Sequence, residues 1–453
     1  MTSNYTVLDK GSFLEELVPG PDLPDTSRAG GLFEFRKVPR GVFENGSQLS
    51  DLLCEAINPL LVSSALKVEL ASRDGDSDSL VTKRRLICYP TDLGEETFSE
   101  EQNTNNTPSA GSTLPWTSRL LRHSARVYIE VNTTKSSNTL LEADTLASIS
   151  EIFLHQPRNH LYCVSIQRRK AVFMLCNPTG VLASHEFDYV DDPYSFFVFF
   201  YRLGRMTDEE LGYHTTVRPV SDEDHALDTL KKMRRILAPP NTSRETCWKH
   251  AFESGPGFPV QRVNIQDGEK TCQYLVGRPY YVSAPMFGRG VKLFLAFDVE
   301  RSVLRWCKCY WQPDIEDIVS DRKDPQCTPV QKHLRTRHTP RIRYCLIQGA
   351  AYSPLEEYRH SQALVMTLRD AFRAHEKAFK KTGVLHRGVS ANNIVFDDTT
   401  LNAKGRPQIR GMLIDWDISK TVQQPQDRSS PGTRSGTWVS MSALLLNYPW
   451  KPF

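Results

Sequence analysis

The sequence predicts an α+β fold, and three features of its 453 residues carry that expectation. Short apolar runs of strand length, bounded by turn residues, cluster at 161–187 and again at 271–311. Segments with apolar residues at steps of three and four flank them at 141–153, 222–237 and 361–381. No internal repeat replaces either pattern.

In chain order, residues 1–118 give weak signals and no defined domain. Leu86-Ile87-Cys88-Tyr89 reads as a strand, and the following stretch, rich in Glu, Asn, Thr, Ser and Gly, reads as a flexible linker at 91–115. From 138 the spacing of Leu141, Ala143, Leu146, Ala147, Ile149 and Phe153 predicts a helix with one buried face. Three strands are expected at 161–167, 171–176 and 181–187, separated by Arg168-Arg169-Lys170 and Asn177-Pro178-Thr179-Gly180. Residues 194–203, with four Phe, read as a buried helix. Residues 222–237 read as an amphipathic one stopped by Pro239-Pro240. Residues 119–240 thus form a small α+β unit. After Pro256-Gly257 come strands at 271–276, 280–283, 291–297, 303–311 and 341–347. A long helix over 361–381 follows, with Leu364, Met366, Leu368, Ala371, Phe372 and Phe379 as inward candidates.

Composition narrows the class. With 39% hydrophobic residues, 7 Trp, 16 Tyr and 21 Phe, a wholly disordered chain is excluded. The balance of 56 basic against 53 acidic residues, net +3, gives no reason to expect a nucleic-acid or membrane partner. The ten cysteines are scattered and include no C-x-x-C pair. Cys307-Lys308-Cys309 suits strand alternation better than a zinc knuckle. The basic cluster at 332–343, with Arg335, Arg337, Arg341 and Arg343, reads as a solvated loop, with acidic or phosphate contact as the alternative. Residues 1–23 lack a secretory pattern and no apolar run reaches 18 residues, so the expected location is cytoplasmic or nuclear, with reduced thiols.

The most informative stretch follows the long helix. It reads Gly383-Val384-Leu385-His386-Arg387-Gly388-Val389-Ser390-Ala391-Asn392-Asn393-Ile394-Val395-Phe396, and Gly411-Met412-Leu413-Ile414-Asp415-Trp416-Asp417 comes after it. Two apolar runs, 394–396 and 412–414, fit short strands. Each has an oxygen-bearing side chain beside it, the carboxamide of Asn393 and the carboxylate of Asp415. The pair resembles the protein-kinase catalytic loop, H-R-D-x-x-x-x-N, followed by the D-F-G turn. The helix sequence 364–375, Ser390, the acidic Asp417 and the segment 434–442 narrow the resemblance to the fungal-type protein kinase family, over about 119–453.

That resemblance implies a protein-kinase-like two-lobed fold, with a small lobe at 255–350, a partial large lobe at 351–453, and the α+β unit preceding them. It implies ATP and Mg2+ as cofactors, with a protein hydroxyl as substrate, or a protein partner if the chain acts as a scaffold. His386 and Arg387 fall in the catalytic loop, and Asn393 and Asp415 take the metal positions. Gly288 and Gly290 occupy the place of the glycine-rich loop, although Leu293 stands where a third glycine is usual. Lys308 takes the place of the lysine that contacts nucleotide phosphates. Glu316, the only Glu between Cys309 and Leu355, is the candidate for its acidic partner.

Two departures shape the functional expectation. Gly388 stands where the catalytic Asp would be, and glycine can neither accept a substrate proton nor orient the attacking oxygen. Leu444 stands where the Glu of A-P-E would be, and the chain stops at Phe453, so the large lobe is expected to be incomplete. Such a chain is a fragment, a decayed product, or a protein whose exposed face a partner covers. The expected protein is an impaired kinase, or alternatively a non-catalytic pseudokinase scaffold.

Overall fold

The computed structural model describes residues 5–23, 46–61, 65–70, 83–91, 124–132, 143–240, 242–254, 258–283, 287–313, 341–349, 352–398, 408–416 and 419–421. Asp417, the 434–442 segment, Glu316, Arg335 and Arg337 lie outside them, as does most of the linker expected at 91–115. Backbone contacts divide the chain into two units: 1–221 with 254–294 and 307–346, and 222–253 with 295–306 and 347–453. Both are mixtures of helix and strand.

The first unit is built on an eight-stranded sheet. Its strands are β1 (Tyr5–Leu8), β2 (Leu66–Leu70), β3 (Lys83–Pro90), β4 (Val127–Asn132), β5 (Leu161–Gln167), β6 (Lys170–Asn177), β7 (Gly180–Ser184) and β8 (Phe187–Asp188). The order is β1-β7-β6-β5-β4-β3-β2, with β8 beside β6. The β1–β7 and β4–β5 pairs are parallel. Strand alternation explains why both faces are apolar. On β5 and β6, Tyr162, Val164, Ile166, Ala171, Phe173 and Leu175 enter one core cluster, while Leu161, Cys163, Val172, Met174 and Cys176 enter the other.

Four helices cover this sheet: α1 (Lys10–Leu17), α2 (Gly46–Leu61), α3 (Ala143–His155) and α4 (Pro193–Leu203). Helix α4 starts where Asp192 accepts from the Ser195 N–H at 3.3 Å and Pro193 supplies a preset φ at the first position. Its Phe199 ring stacks on Phe173, centroids 4.2 Å apart and 6° from parallel. Strands β1, β2 and β3 and helices α1 and α2 join the sequence-weak N-terminal region to this one sheet. Among them only the run at 86–89, within β3, was legible beforehand.

A second sheet contains β9 (Val217–Pro219), β10 (Gln261–Asp267), β11 (Lys270–Val276), β12 (Tyr281–Val282), β13 (Lys292–Asp298), β14 (Val303–Pro313) and β15 (Arg341–Ile347). Its order is β15-β14-β13-β11-β10-β9, with β12 paired to β13. The chain passes from one unit to the other within β13 and β14.

The second unit carries α5 (His225–Leu237), α6 (Ser243–Phe252), β16 (Ser353–Pro354), α7 (Ser361–Thr382), β17 (Val384–Leu385), β18 (Ile394–Asp397), β19 (Arg410–Leu413) and β20 (Lys420–Thr421). Strands β16, β18 and β19 form one small sheet and β17 with β20 another. Helix α7 begins where the His360 Nδ1 accepts from the Ala363 N–H at 3.1 Å. It ends at Gly383, whose φ of +68° lets its N–H reach the Phe379 carbonyl.

The face that α7 buries includes the expected Leu364, Met366, Leu368 and Ala371 but not Phe372 and Phe379. Ala363, Thr367 and Ala371 are buried, with Leu364 and Leu368 packed beside them, whereas Phe372 and Phe379 are 57% and 43% exposed. The reason is the closeness of helix and strand. A Cβ on Gly411 of β19 would lie 2.1 Å from the Thr367 carbonyl oxygen, so only small side chains fit along that line. Phe372 sits one residue, about 100° around the helix, from the contact row at Ala371.

Candidate active site

The loop between β17 and β18 and the turn after β19 are held together by a short chain of hydrogen bonds in the second unit. The His386 ring, fully buried, accepts the Gly388 N–H at Nδ1 (3.2 Å) and donates from Nε2 to the Ile414 carbonyl (2.8 Å). Both ring nitrogens are therefore occupied by the neutral tautomer. Burial keeps the imidazole pKa below its ordinary value, with the Ile414 carbonyl and Asp415 pulling the other way. The His386 N–H donates to His375 Nε2 at 3.2 Å, and the His386 ring meets Trp416 edge-on at 4.5 Å. His375 and Trp416 thus fix His386 from α7 and from the turn.

Asn393 anchors the other end of the loop. Its Nδ2 donates to the Gly388 carbonyl at 2.7 Å, and its N–H to the Ser390 carbonyl at 3.0 Å. The Ile414 N–H donates to the Asn393 carbonyl at 2.9 Å, which sets the turn carrying Asp415 against the loop carrying Asn393. Pairing of Ile394 with Leu413 and of Phe396 with Gly411 continues this register along β18 and β19. Arg387 and Asp415 both have φ of +65°, a left-handed conformation that L side chains adopt only when surrounding contacts hold it. Beneath the turn, Leu355, Ala371, Ile394 and Leu413 form the apolar cluster against which Trp416 packs. Gly411 donates its N–H to Asp370 on α7 at 3.2 Å.

Asn393, with its Oδ1, directly precedes β18, and Asp415, with its carboxylate, follows β19 by two residues, so both oxygen-bearing side chains belong to the same end of this strand pair. That donor set fits a hard divalent cation such as Mg2+. His386, Gly388, Asn393 and Asp415 are thus assembled within one hydrogen-bonded loop pair. The sequence reading missed the supports, His375, Asp370 and Trp416, although all three stand within or beside the motifs.

The remaining expected residues lie in the first unit. Lys308 is buried at the middle of β14, its Nζ 5.4 Å from the Tyr310 ring centroid. Gly288 and Gly290 have φ of +119° and +47°. The Gly288 N–H donates to the Pro178 carbonyl at 3.1 Å, and the carbonyl between them, Arg289, accepts from the Trp311 N–H at 2.7 Å.

The first unit also encloses a cavity of about 870 Å³, lined by residues that include His155, Arg158, His214, Lys292, Cys307, Cys309 and Arg343. Lys292 donates to the Phe153 and Gln156 carbonyls at 2.5 and 3.1 Å, and burial pushes its pKa down to about 7, with Arg343 adding to the effect. Arg158 lies 3.8 Å from the Tyr213 ring centroid and donates to the Ala125 and Arg126 carbonyls.

A model of the fungal protein kinase family matches residues 122–317 and 308–450. The chain belongs to that family. No curated protein and no solved structure gives a match. The match spans the His386–Asn393 loop and the Asp415 turn, and Lys308 falls where its two stretches overlap. Kinase-like function and the use of ATP with Mg2+ are what family membership suggests. No helix among the described residues is long and apolar enough to cross a membrane.

Proposed function

We propose that this fungal-type kinase chain binds Mg2+–ATP and transfers phosphate poorly if at all. The observation that supports the reading is Gly388, which stands between His386 and Asn393 in the hydrogen-bonded loop. Its N–H and carbonyl hold His386 and Asn393, but no carboxylate projects from it. Positioned general-base catalysis is worth about 10² to 10⁴ in rate. That corresponds to about 3–5 kcal/mol of barrier, so its loss alone takes a kinase well below ordinary turnover.

Asn393 and Asp415 are the residues that would hold magnesium, and Lys308 the one that would contact the nucleotide phosphates. The bound metal would supply charge neutralisation on the transferring phosphoryl group. The protein's own contribution is to keep the two oxygen donors still, through Gly388, Ile414 and the packing of Trp416. Gly288 and Gly290 would serve a phosphate with backbone only, and the Gly288 N–H is already engaged by Pro178.

The test is a nucleotide titration of the full chain with and without Mg2+, followed by a phosphotransfer assay on serine and threonine substrates. Mg2+-dependent binding that is abolished in Asp415→Ala, with little transfer, is the expected result. Robust phosphorylation abolished by the same substitution would overturn the claim of impairment.

A second reading, a protein-binding scaffold to which nucleotide is irrelevant, draws on α7. Val365, Phe372 and Phe379 recur every seven residues and are 63%, 57% and 43% exposed. Three large apolar side chains on one line of a helix are an unusual thing to leave in water. Thermal stability unmoved by Mg2+–ATP would favour this reading.

A further inference from the structure

We propose that Cys307, Cys309 and Cys345 form a site for a thiophilic d10 cation, Zn2+ or Cu+, on the cavity-facing side of the second sheet. The three Sγ atoms lie within 4.8 Å of one another, and those of Cys307 and Cys309 are 3.7 Å apart. With metal–sulfur bonds of about 2.3 Å, neighbouring ligands are about 3.8 Å apart on a tetrahedron and about 4.0 Å apart in a trigonal plane. The Cys307–Cys309 spacing is that of two ligands on one ion, and the Cys345 Sγ lies within reach of the same position.

The arrangement follows from strand geometry. Cys307 and Cys309 are two residues apart on β14, so alternation turns both to one face and Lys308 to the other. Cys345 comes from the adjacent strand β15. Two strands therefore deliver three soft ligands with no loop rearrangement, and the preorganised backbone limits the ordering needed on binding. This is also why the C-x-C spacing was unreadable as a metal motif: the third ligand is 36 residues further along and joins only through sheet pairing.

The alternative fate of close thiols is a disulfide. Residues i and i+2 on an extended strand have Cα atoms about 6.6 Å apart, at the far limit for a disulfide. Cys307 and Cys309 thus suit a shared ion better than a covalent bond.

Charge points the same way. Three thiolates around Zn2+ carry a net charge of −1, and around Cu+ a net charge of −2. The Arg343 guanidinium lies 3.7 Å from the Cys309 Sγ and donates to it, and Lys292 lines the same cavity. Cationic hydrogen-bond donors next to ligating sulfurs are the outer support such a site requires. Cys307 and Cys309 both line the cavity, which gives an ion a route in and room for any further ligand.

The test uses the full chain, reduced and freed of metal, titrated separately with Zn2+, with Cu+ under anaerobic conditions, and with Co2+ as the spectroscopic stand-in for Zn2+. We expect one equivalent of Zn2+ or Cu+ per chain, and the relative affinities tell which ion the site takes. Co2+ should show sulfur-to-metal charge-transfer absorption with tetrahedral d–d bands. Bound metal should protect Cys307, Cys309 and Cys345, and not Cys272, from alkylation as mapped by mass spectrometry. Cys309→Ser and Cys345→Ser should weaken binding more than tenfold, and Cys272→Ser should leave it unchanged. If the serine variants fail to fold, the wild-type spectrum and the alkylation map decide by themselves. Absence of stoichiometric binding, protection that does not single out these three cysteines, or a Cys345 disulfide in freshly prepared protein would overturn the proposal.

Discussion

The Asn393 side-chain amide donates to the Gly388 carbonyl at 2.7 Å, so two positions of the loop between β17 and β18 brace one another. The loop keeps its shape through backbone and amide groups. On the reading proposed above, what it lacks is the carboxylate that a catalytic acid at 388 would supply.

Breaking that brace should loosen the loop. Asn393→Ala removes a partly buried hydrogen bond worth about 1 kcal/mol. Urea unfolding of the second unit's transition should shift by that amount, and Mg2+-dependent nucleotide binding should disappear together with the Oδ1 donor.

Restoring the acid tests where the defect lies. Gly388→Asp should raise phosphotransfer by about 10² to 10⁴ over the parent protein, the range for a positioned general base. The check is initial-rate measurement on a serine or threonine substrate. No gain would move the main defect away from residue 388.

Gly411 should be intolerant of any side chain. A methyl group there would meet the Thr367 carbonyl oxygen at 2.1 Å, a backbone atom that cannot swing aside. Gly411→Ala should cost about 3 kcal/mol, the upper range for overpacking. It should also part α7 from β19, visible as faster amide exchange at 410–413.

The first unit rests on Phe173, whose ring stacks on Phe199 and lies 4.9 Å from Phe187. Phe173→Ala should destabilise by about 3–5 kcal/mol, as large-to-small changes in a closed core do. Calorimetry is the direct check.

Acid should destabilise the protein through its buried imidazoles. Burial holds His160 at about 4, His214 well below the usual histidine range, and His386 below it too. Each of them binds its proton more readily when unfolded. Stability present above about pH 6.5 should therefore fall as pH drops from there towards the folded-state values. Melting temperatures measured between pH 7 and pH 5 should decline, and less so in His386→Asn.

Much of this was legible along the chain because local chemistry writes it there. The strand at 161–167 shows in its apolar run and the basic turn after it, and α4 in four Phe behind Asp192 and Pro193. Strand β10 was not legible. Of its residues only Val263 is buried, so Gln261–Asp267 lacks the alternation that marks a half-buried strand. Strand β1 has four residues and draws its order from Val181 to Ser184, far along the chain. In the site, His386, Gly388, Asn393 and Asp415 were read from motif spacing, while His375 and Asp370 act through contacts that spacing does not encode.

The order of residues alone carried the kinship with fungal protein kinases and the glycine at 388, since both are matters of which side chains follow which. Folding decided that Phe372 and Phe379 face outward, that one sheet pairs Tyr5 with Val181, and that Cys345 meets Cys307 and Cys309. Those outcomes depend on pairings between residues distant in sequence, where steric fit and sheet register, not local preference, select the neighbour.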